Sequence, residues 1–211
     1  GLAQRSEFVK LTAAGKSDVG KAIHVVVVSK DGISTPAQAR KGGKSILLIN
    51  NGIHAGEVCG IDASAALVKK LSDPDHELHK MLDSVVVLII PVYNVGGMLN
   101  RGSYSRVNQN GPEEHGFRGN AKNLDLNRDF IKLDSRNAKT FTQIFRTWDP
   151  DIFVDTHTTN GSDHQYTLTL INTQKDKLSP VLSEFVENEM LPSFYQSMRK
   201  KSMDMIPYVY N

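Results

Sequence analysis

The chain has 211 residues, of which 39% are hydrophobic and 23% charged, with 16 Gly, 8 Pro and a single Cys. That composition belongs to a globular protein with a substantial core and excludes disordered, collagen-like and disulfide-stapled chains. Lys and Arg total 25 against 23 Asp and Glu, a formal charge of +2, so no electrostatic signal for a nucleic-acid partner is present.

In chain order, Gly1-Leu2-Ala3-Gln4 opens without a Met, which suggests leader removal or a cloning remnant. Residues 22–29 (AIHVVVVS) and 45–50 (SILLIN) read as strands. Residues 60–71 (GIDASAALVKKL) read as a helix, with Ile61, Ala65, Val68 and Leu71 on one face, Asp62 near its start and Lys69 and Lys70 near its end. Residues 84–91 (SVVVLIIP) form a third strand; this apolar run is far short of the roughly 20 residues of a membrane-spanning helix, and Pro91 interrupts it. Residues 134–148 start with a capping residue and stack Phe141, Ile144, Phe145 and Trp148. Strands at 151–155 and 165–172 follow, then a helical stretch at 176–201 that Pro180 and Pro192 should divide. No repeat, low-complexity tract or linker marks a boundary, so one domain over residues 1–211 is expected. The alternation predicts an α/β protein with a mixed, largely parallel sheet covered by helices on both faces.

Ligands of such sheets bind beyond the carboxyl ends of the strands. Asn51-Gly52-Ile53-His54-Ala55-Gly56-Glu57 follows one strand, Tyr93-Asn94-Val95-Gly96-Gly97 another, and Thr156-His157-Thr158 a third. His54 and Glu57 form an H-x-x-E pair whose spacing brings imidazole and carboxylate to one side. A catalytic zinc site needs a third protein ligand, and His157 at its strand end is the natural one. The other five His, at 24, 76, 79, 115 and 164, read as structural or solvent-facing. Cys59 has no partner, which excludes a disulfide or a cysteine-based zinc cluster.

Between the two halves of this site lie Phe117-Arg118-Gly119-Asn120 and Asn123-Leu124-Asp125-Leu126-Asn127-Arg128-Asp129-Phe130. With the H-x-x-E of GIHAGE, the aromatic-Arg pair, D-L-N-R-x-F and the D-x-H at a strand end in this order, the chain resembles the zinc carboxypeptidases of the carboxypeptidase A type. The resemblance implies a phosphorylase-hydrolase-like fold, one Zn2+ held by His54, Glu57 and His157, and hydrolysis of the C-terminal peptide bond of a peptide by a zinc-activated water. It assigns Asn127 and Arg128 to the free carboxylate of the substrate and Arg118 to the developing oxyanion, consistent with the donor fork of Arg and the directional amide of Asn. Two alternatives stay open: Arg128 could form a surface salt bridge with Asp125 or Asp129, and Arg101 or Arg106 could take the role of Arg118. Asp155 and Asn94 are candidates for supporting the ligands. The chain departs from the family's N-P-D-G at Asn94-Val95-Gly96-Gly97, where the Asp is absent.

The family's general base is a strand-borne Glu downstream of the third ligand, preceded by a Tyr on a mobile loop. Asp163, Asp176, Glu184, Glu187, Glu189 and Asp204 follow His157, and none has that setting; Tyr208 and Tyr210 match no family position. The expectation is a catalytic domain truncated at its C-terminal end. Two other functions compete: a zinc deacylase of N-acyl amino acids resembling aspartoacylase and succinylglutamate desuccinylase, and a non-catalytic module that binds peptide C-termini. The resemblance also implies a secreted or periplasmic protein.

Overall fold

Continuous apolar runs along the central strands, buried on both faces, set the layering. The computed structural model describes residues 1–106, 109, 111–159 and 165–208, in two compact units, Gly1–Asn160 and Gly161–Asn211. The first unit runs α1 (Leu2–Arg5), β1 (Val9–Lys16), β2 (Ala22–Val28), α2 (Pro36–Lys41), β3 (Ser45–Asn50), α3 (Cys59–Leu71), a 3-10 helix at Glu77–Asp83 and β4 (Val85–Ile90). It continues through α4 (Val95–Leu99), a short ribbon of β5 (Arg101–Gly102) and β6 (His115–Gly116), a 3-10 turn at Leu126–Arg128, α5 (Arg136–Trp148) and β7 (Ile152–Asp155).

The main sheet has the order β1-β2-β4-β3-β7. β4, β3 and β7 run parallel, β2 pairs antiparallel with β4, and β1 pairs antiparallel with β2. The mixed α/β sheet expected from the sequence is therefore present, with β1 as an addition. Only the first of its eight residues is buried, so it carries no apolar alternation to read.

Along β4, Val86, Leu88 and Ile90 enter one core cluster with Phe141, Ile144 and Trp148 of α5. Val87 and Ile89 enter a second with Val68 and Leu71 of α3. The two helices thus cover opposite faces, and a one-residue slip of β4 would exchange its face assignments. Each buried aliphatic side chain contributes about 1.5–3 kcal/mol, so this register is strongly held.

The start of α5 differs from expectation. Ser135, not Asp134, is its N-cap: the hydroxyl accepts from Ala138 N at 2.9 Å, and the helix ends at Asp149 in the left-handed region, φ 45.

In the second unit, β8 (Leu168–Leu170) pairs in parallel with β9 (Met205–Pro207). Between them lie a 3-10 turn at Lys175–Lys177, α6 (Pro180–Phe185), a π turn at Val186–Met190 and α7 (Leu191–Arg199). Pro180 sits in the first turn, where its missing N–H costs nothing. Pro192 does not divide the helical stretch as expected. The turn before it widens to π, which accommodates a residue with no N–H and a ring that would crowd the carbonyl of an ordinary α turn. Among the described residues no helix is long and apolar enough to cross a membrane.

Candidate metal centre

The parallel strands end together. β3 pairs with β4 up to Asn50 and Ile90, and with β7 up to Asn50 and Asp155. After β3 the chain turns through Gly52 at φ +63, and a tight turn from the His54 carbonyl to Glu57 N (3.0 Å) places both side chains on one side. Helix α3 then starts against β7. A Cβ on Gly60 would lie 2.1 Å from Thr156 Oγ1, so only glycine permits this approach. Thr156 in turn donates to Asn51 Oδ1 at 2.8 Å, tying the two ligand-bearing loops together.

Three expected ligands meet there. Donor atoms of His54, Glu57 and His157 lie within 4.8 Å of one another. His54 Nδ1 is 2.9 Å from Glu57 Oε1 and His157 Nδ1 is 3.0 Å from Glu57 Oε2. The outward ring nitrogens each meet an aspartate: His54 Nε2 is 3.1 Å from Asp125 Oδ1, and His157 Nε2 is 2.8 Å from Asp155 Oδ2. With a metal bound, Nδ1 would give up its proton and direct its lone pair inward while Nε2–H stayed on the aspartate, the arrangement that orients imidazoles around zinc. Two imidazole nitrogens and a carboxylate form a three-ligand set suited to Zn2+ with one position left for water or substrate. The residues present fit the ion.

The charges are arranged accordingly. Burial pushes the Glu57 carboxyl up, but hydrogen bonds from His157, His54 and the Thr158 N–H outweigh it and hold Glu57 far below the usual carboxylate range. His157 is raised from 6.5 to about 9 by its hydrogen bonds to Asp155 and then Glu57, against the opposing effect of burial. Asp155 is itself fixed by Asn50 Nδ2 at 2.8 Å.

The D-L-N-R string contributes through a residue the sequence reading did not single out. Asp125 caps the 3-10 turn by accepting from Asn127 N at 2.9 Å, and the same Oδ1 faces His54. Its Oδ2 takes Arg118 Nε at 3.1 Å and Nη2 at 3.0 Å. Burial raises the Asp125 carboxyl, yet the Asn127 amide, His54 and Arg118 together bring it below its ordinary value.

Arg118 therefore reaches the centre through Asp125. Arg128 is exposed and donates to its neighbour's carbonyl, Asn127 O, at 2.9 Å. The alternative of a salt bridge from Arg128 to Asp125 or Asp129 is not found among the described residues: Asp125 serves Arg118 and His54, and Asp129 accepts from Asp134 N, Ser135 N and Ser135 Oγ.

Of the two arginines that could have replaced Arg118, Arg101 is exposed and bonds Glu114 O, whereas Arg106 is buried against Glu57. Asn94 supports the loop rather than a ligand: it caps α4 through Gly97 N and donates to the Arg118 and Gly119 carbonyls at 3.0 and 3.1 Å. Asp18 pins the same loop, accepting from Asn120 Nδ2 and Arg136 N.

Four other histidines have ordinary structural settings. His24 is exposed, His76 accepts from Leu78 N, His79 bonds Leu71 O and His115 bonds Gly111 O. Asp176, Glu184, Glu187, Glu189 and Asp204 are exposed, and none lies on a strand. Asp163, His164 and Tyr210 lie outside the described residues.

The zinc carboxypeptidase family model matches residues 2–201. Carboxypeptidase 2 of Trichophyton rubrum is 24% identical over 157 residues, covering 74% of this chain and 26% of that protein. Among solved structures, a metallo-carboxypeptidase from Pseudomonas aeruginosa is similar with TM-score 0.71 and 20% identity, over 99% of this chain and 49% of that one. A metallo-carboxypeptidase from Burkholderia cenocepacia also has TM-score 0.71, with 16% identity, over 99% and 51%. The chain thus spans about a quarter of the curated relative and about half of each solved chain.

Proposed function

The chain belongs to the zinc carboxypeptidase family, and on that premise we propose that it supplies the metal centre and carboxylate clamp of a zinc metallocarboxypeptidase that removes the C-terminal residue of a peptide. The carrying observation is that two histidines address one carboxylate through Nδ1 while each donates Nε2 to its own aspartate. When bound, zinc would be held by His54, Glu57 and His157 and would supply Lewis-acid polarisation of the scissile carbonyl and activation of water. Asp125 and Asp155 hold the two rings in the ligating orientation.

Arg128, exposed on its 3-10 turn, and Asn127 beside it are assigned to the terminal carboxylate of the substrate, for which a planar donor fork and an amide are suited. Arg118 keeps Nε and Nη2 on Asp125, and its Nη1 has no partner among the described residues; that edge is assigned to charge developing on the carbonyl oxygen. The carboxylate that accepts the proton of water is not assigned to any described residue. The proposal includes a secreted or periplasmic location, the common setting of the family.

A substrate panel tests the reading. Zinc-dependent release of C-terminal residues, lost in His54→Ala and reduced in Arg128→Ala, supports it. Turnover of N-acyl amino acids but not peptides would assign the deacylase function, and peptide binding without turnover the binding module. No zinc uptake at saturating metal would overturn both enzymatic readings.

A further inference from the structure

Arg106 stands against the carboxylate that both histidines address, yet three-ligand coordination does not require it. Its side chain is 5% exposed, and Nη1 donates to Glu57 Oε1 at 3.0 Å. Nη2 donates to the Thr159 carbonyl at 3.2 Å, and the buried Nε has no hydrogen-bond partner among the described residues. Space for the side chain comes from Gly56, where a Cβ would lie 2.4 Å from Arg106 Cδ and 2.8 Å from the Gly116 carbonyl. The glycine in the middle of H-x-x-E is thus matched to an arginine delivered from the ribbon loop.

A guanidinium keeps its charge at any working pH. Here it is desolvated and fixed on an oxygen within the metal-ligand cluster, where charge interactions are far stronger than at an exposed surface. In the absence of metal the positive charge of Arg106 compensates buried Glu57. With a divalent cation on the same carboxylate, it withdraws negative charge from the ligand and repels the ion.

We propose that Arg106 sets the metal affinity of this centre: it holds Glu57 in place while weakening the centre's grip on a divalent cation. The inference rests on the reading of His54, Glu57 and His157 as the zinc ligands. It predicts a signature that a merely structural arginine would not give. Removing the charge should destabilise the metal-free protein and tighten zinc at the same time.

The experiment measures zinc affinity by competition with a chromophoric chelator, together with the thermal midpoint of the metal-free protein, for the parent chain, Arg106→Met, Arg106→Gln, Arg106→Lys and His54→Ala. Arg106→Met preserves much of the buried stem if Arg106→Gln fails to fold. The neutral variants are expected to bind zinc about tenfold more tightly with a lowered metal-free midpoint, and Arg106→Lys to stay within about threefold of the parent. Unchanged or weaker zinc binding in a folded neutral variant would overturn the proposal and leave Arg106 as a structural support for Glu57. Equal zinc affinity of the parent and His54→Ala would instead remove the metal-site reading on which it depends.

Discussion

His54 and His157 turn the same ring nitrogen to opposite oxygens of one carboxylate, with Nδ1 to oxygen distances of 2.9 and 3.0 Å at Glu57 Oε1 and Oε2. The relationship spans loops that follow different strands, 100 residues apart for the His157 pair. It depends on the parallel registration of β3 and β7, and on the outward nitrogens being occupied by Asp125 and Asp155.

The first prediction concerns those aspartates. An Asn at either position keeps an acceptor oxygen but removes the charge that fixes the tautomer and increases imidazole basicity. Asp125→Asn and Asp155→Asn should each weaken zinc binding by about 10–100-fold, measured by chelator competition. Asp125→Asn should also loosen Arg118, which has two donors on that carboxylate. Changes below twofold in both variants would show that the rings are held by packing alone.

The second concerns pH. In the metal-free protein His157 donates to Asp155 and Glu57 and is raised from 6.5 to about 9. A raised folded-state value favours the protonated folded form, so this contribution is fully present below pH 6.5 and is lost as pH rises through about 9. With a side chain 35% exposed, it amounts to no more than about 1–2 kcal/mol after solvent screening. Zinc must displace the Nδ1 proton, so its affinity should rise across the same window and then level. Urea unfolding and zinc titration from pH 6 to pH 10 test both trends, and His157→Gln should flatten them; a flat parent profile would refute the coupling.

The third prediction links helix capping to the loop proposed to hold the substrate carboxylate. Asp129, next to Arg128, accepts from Asp134 N, Ser135 N and Ser135 Oγ, while Ser135 caps α5. Ser135→Ala should cost about 1–2 kcal/mol. Asp129→Ala leaves three donors without their acceptor, the two on Ser135 buried, and should cost about 3 kcal/mol, read as a shift in urea midpoint at constant slope. If Asp129→Ala costs less than Ser135→Ala, the carboxylate is not the organising group.

What was legible in the sequence follows from how narrowly each feature constrains residue type. Metal coordination admits few side chains, so His54, Glu57 and His157 stand out at strand ends, and the structure brings them together. The strand runs buried on both faces were equally plain. β1 was not, because seven of its eight positions are not fully buried. Asp125 was not singled out: adjacency offered it only the alternative of a surface pair with Arg128, whereas the 3-10 turn leaves Arg128 exposed and aims Asp125 at His54 and Arg118. Arg106 gave no local signal, since its partner is 49 residues away and its room is provided by Gly56. Backbone adaptation hid the outcome at Pro192, where a π turn absorbs the proline.

The fourth prediction tests whether one glycine couples the fold to the metal centre. Helix α3 begins so close to the end of β7 that a Cβ on Gly60 would be 2.1 Å from Thr156 Oγ1, 2.5 Å from Thr156 Cβ and 2.8 Å from Asn51 Oδ1. Gly60 lies within α3, where alanine has the higher intrinsic helix propensity by about 1 kcal/mol, so propensity alone predicts that Gly60→Ala stabilises. The contact distances reverse that sign. Overpacking at a site that cannot yield costs about 1–3 kcal/mol, and the neighbours here are anchored: Thr156 N bonds the Asn50 carbonyl and Asn51 Nδ2 bonds Ser64 Oγ. The strain acts on Thr156, the residue before His157, so the two ligand loops should move apart. Gly60→Ala is therefore expected to lower both the urea midpoint and zinc affinity, the latter by about tenfold or more, because ligand spacing tolerates only a few tenths of an ångström. A variant that gains stability and binds zinc as the parent does would show that α3 can withdraw from β7 without disturbing the centre.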